Sequence, residues 1–63
     1  MSKLKEFREA KGLSQEAFAK AIGYTLSMTA KVESGAAKAS RNFMEKVKKA
    51  FPEVDINNIF FAN

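Results

Sequence analysis

The chain has 63 residues, 11 Lys and Arg against 7 Asp and Glu, a formal net charge of +4, and neither Cys nor His. A chain this short forms one domain at most, spanning 1–63, and a domain of that size buries only about 60% of its unfolded surface, which leaves little room for an enzyme cleft. The missing Cys and His remove disulfides, thiol nucleophiles, imidazole acid–base chemistry and zinc fingers, so no catalytic residue, metal site or cofactor is expected, while the positive excess points to a polyanionic partner.

In chain order, Ser2 to Lys11 reads as a first helix, with Leu4 and Phe7 on its inner face, Lys3, Lys5, Glu6 and Glu9 outside, and Gly12 as the stop. No apolar run is long enough to span a bilayer, and Met1 to Leu13 lacks the apolar segment of a signal peptide, so a soluble cytoplasmic protein is expected. Leu13 enters the core ahead of Ser14, whose hydroxyl can cap a second helix of about two turns. Phe18, Ala21 and Ile22 recur there as an apolar face, and Gly23 can take the left-handed conformation that closes a helix. Thr25 is a natural cap for a third helix, because Leu26 to Ser34 holds no Gly or Pro, and Gly35 ends it.

Ala36 to Ala39 is a connection of small residues without periodicity. Ser40 can cap a fourth helix from Arg41 to Phe51, in which Phe43, Met44, Val47, Ala50 and Phe51 share one face and Glu45, Lys46, Lys48 and Lys49 the other. Pro52 ends it. Asp55 offers a cap for a brief fifth helix, Ile56 to Phe60. No repeat, low-complexity tract or interdomain linker is visible.

Two short helices separated by three residues, one of them a glycine, cross steeply, and such a crossing needs a small residue, here Ala19, where the backbones approach. Gln15 to Gly35, QEAFAKAIGYTLSMTAKVESG, thereby resembles the helix-turn-helix pattern, and more narrowly the phage-repressor/Cro family of lambda-repressor-like (XRE-type) DNA-binding domains. The matching features are Gln15, apolar Phe18, Ala19, apolar Ile22, Gly23, apolar residues at Tyr24 and Val32, and the Glu33-Ser34-Gly35 ending. LKEFREAKGLSQ before the motif and the fourth and fifth helices after it fit the family layout, so the likeness covers nearly the whole chain. Thr29 departs, standing where Ile or Val is usual. Buried, it has to place its hydroxyl, for which the carbonyl one turn back is available.

The resemblance implies an all-α, five-helix domain that binds double-stranded DNA as a small transcriptional regulator, a repressor of phage or prophage type acting in a bacterial or phage-infected cell. It also implies a bond from Arg8 to Glu33 tying the first helix to the end of the third; the alternative is two ordinary surface charges. The third helix is expected to enter the major groove with Thr29, Val32 and the side of Tyr24 facing inward. Leu26, Ser27, Ala30 and Lys31, with Met28 at the flank, then reach base edges: Ser27 and Lys31 by hydrogen bonds, Leu26 and Ala30 on a thymine methyl. The competing arrangement is a register shift that puts Leu26 and Met28 into the core.

Phosphate contacts fall by resemblance to Gln15 and Thr25, to Lys38 in the loop, and to Ser40 and Arg41. The free N–H groups and positive dipole end of a helix start favour an anionic oxygen at several of these positions. One short recognition helix makes few contacts, so binding as a homodimer on half-sites about one helical turn apart is expected, with dimerisation on the DNA itself. Phe60 and Phe61 admit two readings: both cap the core, or Phe61 with Ile59 forms a two-fold dimer contact. No small-molecule ligand or membrane partner is expected. The rival from another class is a helical protein-interaction module, antitoxin-like or a phage regulatory partner, using Leu26, Met28, Phe60 and Phe61 as an apolar surface with only weak, non-specific DNA binding.

Overall fold

A computed structural model describes residues 2–61, which form five helices and no strand among them. They are α1 (Lys3–Ala10), α2 (Gln15–Ile22), α3 (Leu26–Ser34), α4 (Arg41–Ala50) and α5 (Asn57–Phe61). Hydroxyl caps open the first four, satisfying donors that a helix start otherwise leaves unpaired. Ser2 accepts from the Lys5 N–H at 3.1 Å, Ser14 from Ala17 at 3.1 Å, Thr25 from Met28 at 3.1 Å and Ser40 from Phe43 at 3.0 Å. Ser2 is thus the cap of α1 and not its first helical residue. Phe51 is likewise the cap of α4, at φ −131° and ψ 80° outside the helical region, which the following Pro52 disfavours.

The final helix differs from a short α-helix over Ile56 to Phe60: Asn57–Phe61 is wound as a π-helix, whose bonds run from i to i+5. Its start is nonetheless fixed as expected, by the Asp55 carboxylate accepting from the Asn58 N–H at 3.2 Å.

Leu4, Phe18, Ile22, Phe43, Val47 and Val54 make the buried core. Phe51 joins two helices to α4, its ring stacked on Phe18 with centroids 5.4 Å apart and meeting the edge of Phe7 at 5.7 Å. Phe43 of α4 meets Tyr24 of the α2–α3 turn edge-on at 4.9 Å and Phe60 of α5 edge-on at 6.3 Å. Ala19 is buried, as a close α2–α3 crossing requires, whereas Ala21 is exposed and does not belong to the apolar face of α2. With one methyl to bury, Ala21 loses little by facing water. Val54, an isolated apolar residue between Pro52 and Asp55, fills the space beneath the α4–α5 connection instead.

Across the α1 end of that connection, Lys11 pairs with Glu53 and lies 5.3 Å from the centre of the Phe7 ring. The hydrogen bond from Lys11 holds the Glu53 carboxyl below its usual range. A lowered carboxylate pKa favours the folded state above the ordinary value, and that contribution fades as pH falls through the lowered one. Exposed to solvent, the pair is screened and its influence small.

Candidate nucleic-acid interface

Gly23, at φ 78°, closes α2 in the left-handed region, and only three residues separate the two helices of the pair before Thr25 caps α3. The Tyr24 N–H donates to the Ala19 carbonyl at 2.9 Å, so the turn itself is hydrogen-bonded to α2. This fixes which side of α3 faces the core. Thr29 is fully buried and Glu33 nearly so, with Val32 half-buried beside them. The Thr29 hydroxyl donates to the Thr25 carbonyl at 2.9 Å, one turn back.

That carbonyl already accepts the Thr29 N–H at 3.1 Å, so it is not stranded when the hydroxyl is removed. Thr29→Val is therefore expected to change stability by less than about 1 kcal/mol in urea unfolding, since an intramolecular hydrogen bond contributes little net. A loss above about 2 kcal/mol would mean that the hydroxyl bond, rather than the shape of the side chain, seats α3.

The opposite side of α3 is free. Leu26 is 46% and Met28 40% exposed, Ser27 and Lys31 are exposed, and Ala30 is half-buried. Leu26 and Met28 are accordingly not drawn into the core, and Thr29 occupies the inner position that a shifted register would have given them. The outer surface is contiguous, running from the Thr25 cap to Lys31 over nearly two turns, with no acidic side chain on it.

Beneath this surface lies a charged knot that ties three helices together. Arg8 donates from Nε to Glu33 Oε2 at 2.8 Å, from Nη2 to Glu33 Oε1 at 3.2 Å, and from Nη1 to the Leu13 carbonyl at 2.8 Å. Arg8 and Glu33 are both buried, so the two are a buried bidentate pair and not surface charges. A third member is Gln15, whose Nε2 donates to Glu33 Oε1 at 3.0 Å. Spacing alone does not disclose this bond. The available signal is that a buried carboxylate has more lone pairs than one arginine fills, so a neighbouring donor is called for. Among the described residues no buried side-chain nitrogen or oxygen is left without a partner.

Lys38, Ser40 and Arg41 are all exposed, along the loop and the first turn of α4. The Arg41 side chain is 92% exposed and its Nε lies 3.9 Å from Glu45 Oε2, a loose contact one turn along the same helix. Asn42 is a residue that sequence reading passes over: its Oδ1 accepts the Tyr24 hydroxyl at 2.6 Å, linking the α2–α3 turn to the start of α4. The signal for it is a tyrosine at a half-buried position where the pattern asks only for an apolar residue, because a tyrosine hydroxyl seeks a partner.

At the far end, Phe60 is half-buried against the core and Ile59 half-buried, but Phe61 is 62% exposed. Phe61 thus does not cap the core. It stands beside an open groove of about 1120 Å³ that Leu4, Val32, Met44 and Ile59 help to line. Among the described residues no group of three or more acidic side chains could hold a metal ion, and no helix is long and apolar enough to cross a membrane.

A family model described as helix-turn-helix matches residues 4–57 of the chain. No curated protein and no solved structure matches it.

Proposed function

The chain belongs to the lambda-repressor-like helix-turn-helix family and is a DNA-binding regulator of that kind, and from this premise we propose that it acts through the major groove as a small transcriptional repressor of the phage-repressor/Cro type. The observation that carries the reading is the division of α3: Thr29 and Glu33 are buried on one side, while Leu26, Ser27, Met28 and Lys31 stand in solvent on the other. A helix seated this way presents its outer side chains to base edges, with Ala30 close enough for a thymine methyl.

In this reading Lys31 donates to guanine O6 or N7, Ser27 donates or accepts, and Leu26 and Met28 make apolar contacts. The surface is poor in the Gln, Asn and Arg that bind a base through two bonds, so specificity is moderate and DNA shape contributes. Thr25, Lys38, Ser40 and Arg41 hold the backbone on either side, together with the amide hydrogen of Gln15 that Glu33 leaves unused. The protein works in the cytoplasm as one domain, as a pair of copies on half-sites about one turn apart, with Ile59 and Phe61 in the contact between them.

A second reading is favoured by one specific feature, the exposure of Leu26, Met28 and Phe61, three large apolar side chains. It makes the chain a protein-interaction module with weak, sequence-blind affinity for DNA. Selection from a randomised duplex pool at two salt concentrations separates the two. An enriched, two-fold symmetric motif with half-sites about one turn apart is the expected result. Retention without a motif, vanishing at the higher salt, would leave only the positive charge at work and favour the interaction module.

A further inference from the structure

The Tyr24–Asn42 bond has a polarity that fixes what Asn42 offers to its surroundings. The Tyr24 hydroxyl donates and Asn42 Oδ1 accepts, at 2.6 Å. The carbonyl end of the Asn42 amide is thereby turned toward the helix pair, and its NH2 end, which donates only, is turned away from it. Tyr24 is in turn held by its ring, edge-on against the buried Phe43 at 4.9 Å, and by its N–H on Ala19. Asn42 itself is exposed. It lies next to Arg41, and Tyr24 lies next to Thr25, both assigned above to the DNA backbone.

We infer that Asn42 is a further contact to a DNA phosphate, and that Tyr24 is the positioning residue that aims its amide. The inference rests on the DNA-binding reading given above and deepens it. A neutral amide on an exposed helix surface normally rotates freely and loses that freedom on binding. Bonded to a tyrosine that is itself packed, the amide is already oriented before the duplex arrives. The bond also joins the turn between α2 and α3 to α4, so the contacts assigned to both helices keep a fixed spacing along the backbone.

The test is a set of variants titrated against a mixed-sequence duplex, each with its thermal unfolding measured alongside. Asn42→Ala is expected to weaken binding to all sequences by about tenfold, as the loss of a hydrogen bond to a charged partner does. Tyr24→Phe keeps the ring on Phe43 and removes only the hydroxyl, and is expected to weaken binding roughly threefold. Added to Asn42→Ala, it should cost nothing further, because the group it aims is gone.

Asn42→Asp is the variant that separates a phosphate contact from a structural link. Its carboxylate still accepts the Tyr24 hydroxyl and suits the first turn of a helix, so unfolding should be unchanged, yet it repels a phosphate and should bind more weakly than Asn42→Ala. If Asn42→Ala and Asn42→Asp both bind like the parent while Arg41→Ala is weakened, the inference is wrong and the DNA-binding reading survives. If the parent chain does not bind the duplex, the DNA-binding reading fails and the inference fails with it.

Discussion

Arg8→Ala is expected to leave the chain largely unfolded at room temperature. Removing one partner of a buried pair costs about 3–5 kcal/mol, because the other charge stays in a site shaped for its neutralisation. A domain below about 70–80 residues seldom draws more than about 3–5 kcal/mol from its core. The two quantities are of the same size, so the variant has almost nothing left. Glu33 would lose both bonds from Arg8 and keep only the one from Gln15, while the Leu13 carbonyl would lose its donor at the entry to α2.

Replacing both charges at once, as in Arg8→Met with Glu33→Leu, is expected to recover much of that loss. Apolar side chains of similar volume often do as well as a buried pair, since the desolvation of two ions disappears together with their attraction. Circular dichroism during thermal unfolding distinguishes the cases. A single variant that loses less than about 1 kcal/mol would mean that the pair behaves as a surface bridge despite its burial. A double variant that folds but loses affinity for DNA would show that the knot also matters for Gln15, which Glu33 holds in place.

The helices were legible because each is punctuated locally. Ser14, Thr25 and Ser40 cap within three residues of themselves, and Gly23 and Pro52 act through their own backbone geometry, so no distant partner is needed to find them. The inner side of α3 came from the family likeness, which sets Thr29 and Val32 inward against a shifted register; the Thr29 hydroxyl then finds its partner within one turn. Features that depend on distant partners were less accessible. Gln15 meets Glu33 across 18 residues, and Tyr24 meets Asn42 across the same separation. Nothing in the immediate sequence of either pair announces the other. Val54 is buried from within a turn, where no period of 2 or 3.6 exists to read, and Ala21 sits at a core spacing with too little side chain to decide its own orientation. The family likeness supplied the Arg8–Glu33 pair, which spacing alone would also have missed.

Lys31→Ala and Arg41→Ala are expected to weaken DNA binding in different ways, and the difference is the sharpest check on the roles assigned to them. Lys31 lies on the outer side of α3 one turn from Ser27, with both exposed. Its removal should relax discrimination at one or two base pairs by roughly 1–3 kcal/mol and leave affinity for random duplex much less altered. The lower end of that range is expected, because an ammonium is a point charge without the two-pronged geometry of a guanidinium. Arg41 should instead weaken binding to every sequence alike and flatten the dependence of log affinity on log salt by about one unit, the signature of one phosphate contact fewer.

Glu45 refines the second expectation. Its carboxylate lies 3.9 Å from Arg41 in the free protein and has to yield the guanidinium to a phosphate. An exposed pair one turn apart on a helix is worth only about 0.2–0.5 kcal/mol, so the exchange is easily made. Glu45→Gln should accordingly tighten binding slightly at low salt, and should do so only while Arg41 is present. Anisotropy titrations of these three variants and of Glu45→Gln combined with Arg41→Ala, on specific and random duplexes over a series of salt concentrations, measure all of these effects. Identical behaviour of Lys31→Ala and Arg41→Ala on both duplexes would remove the distinction between a side chain that reads bases and one that holds the backbone. Tightening by Glu45→Gln that persists without Arg41 would assign the effect to net charge alone, acting through the field of the whole domain.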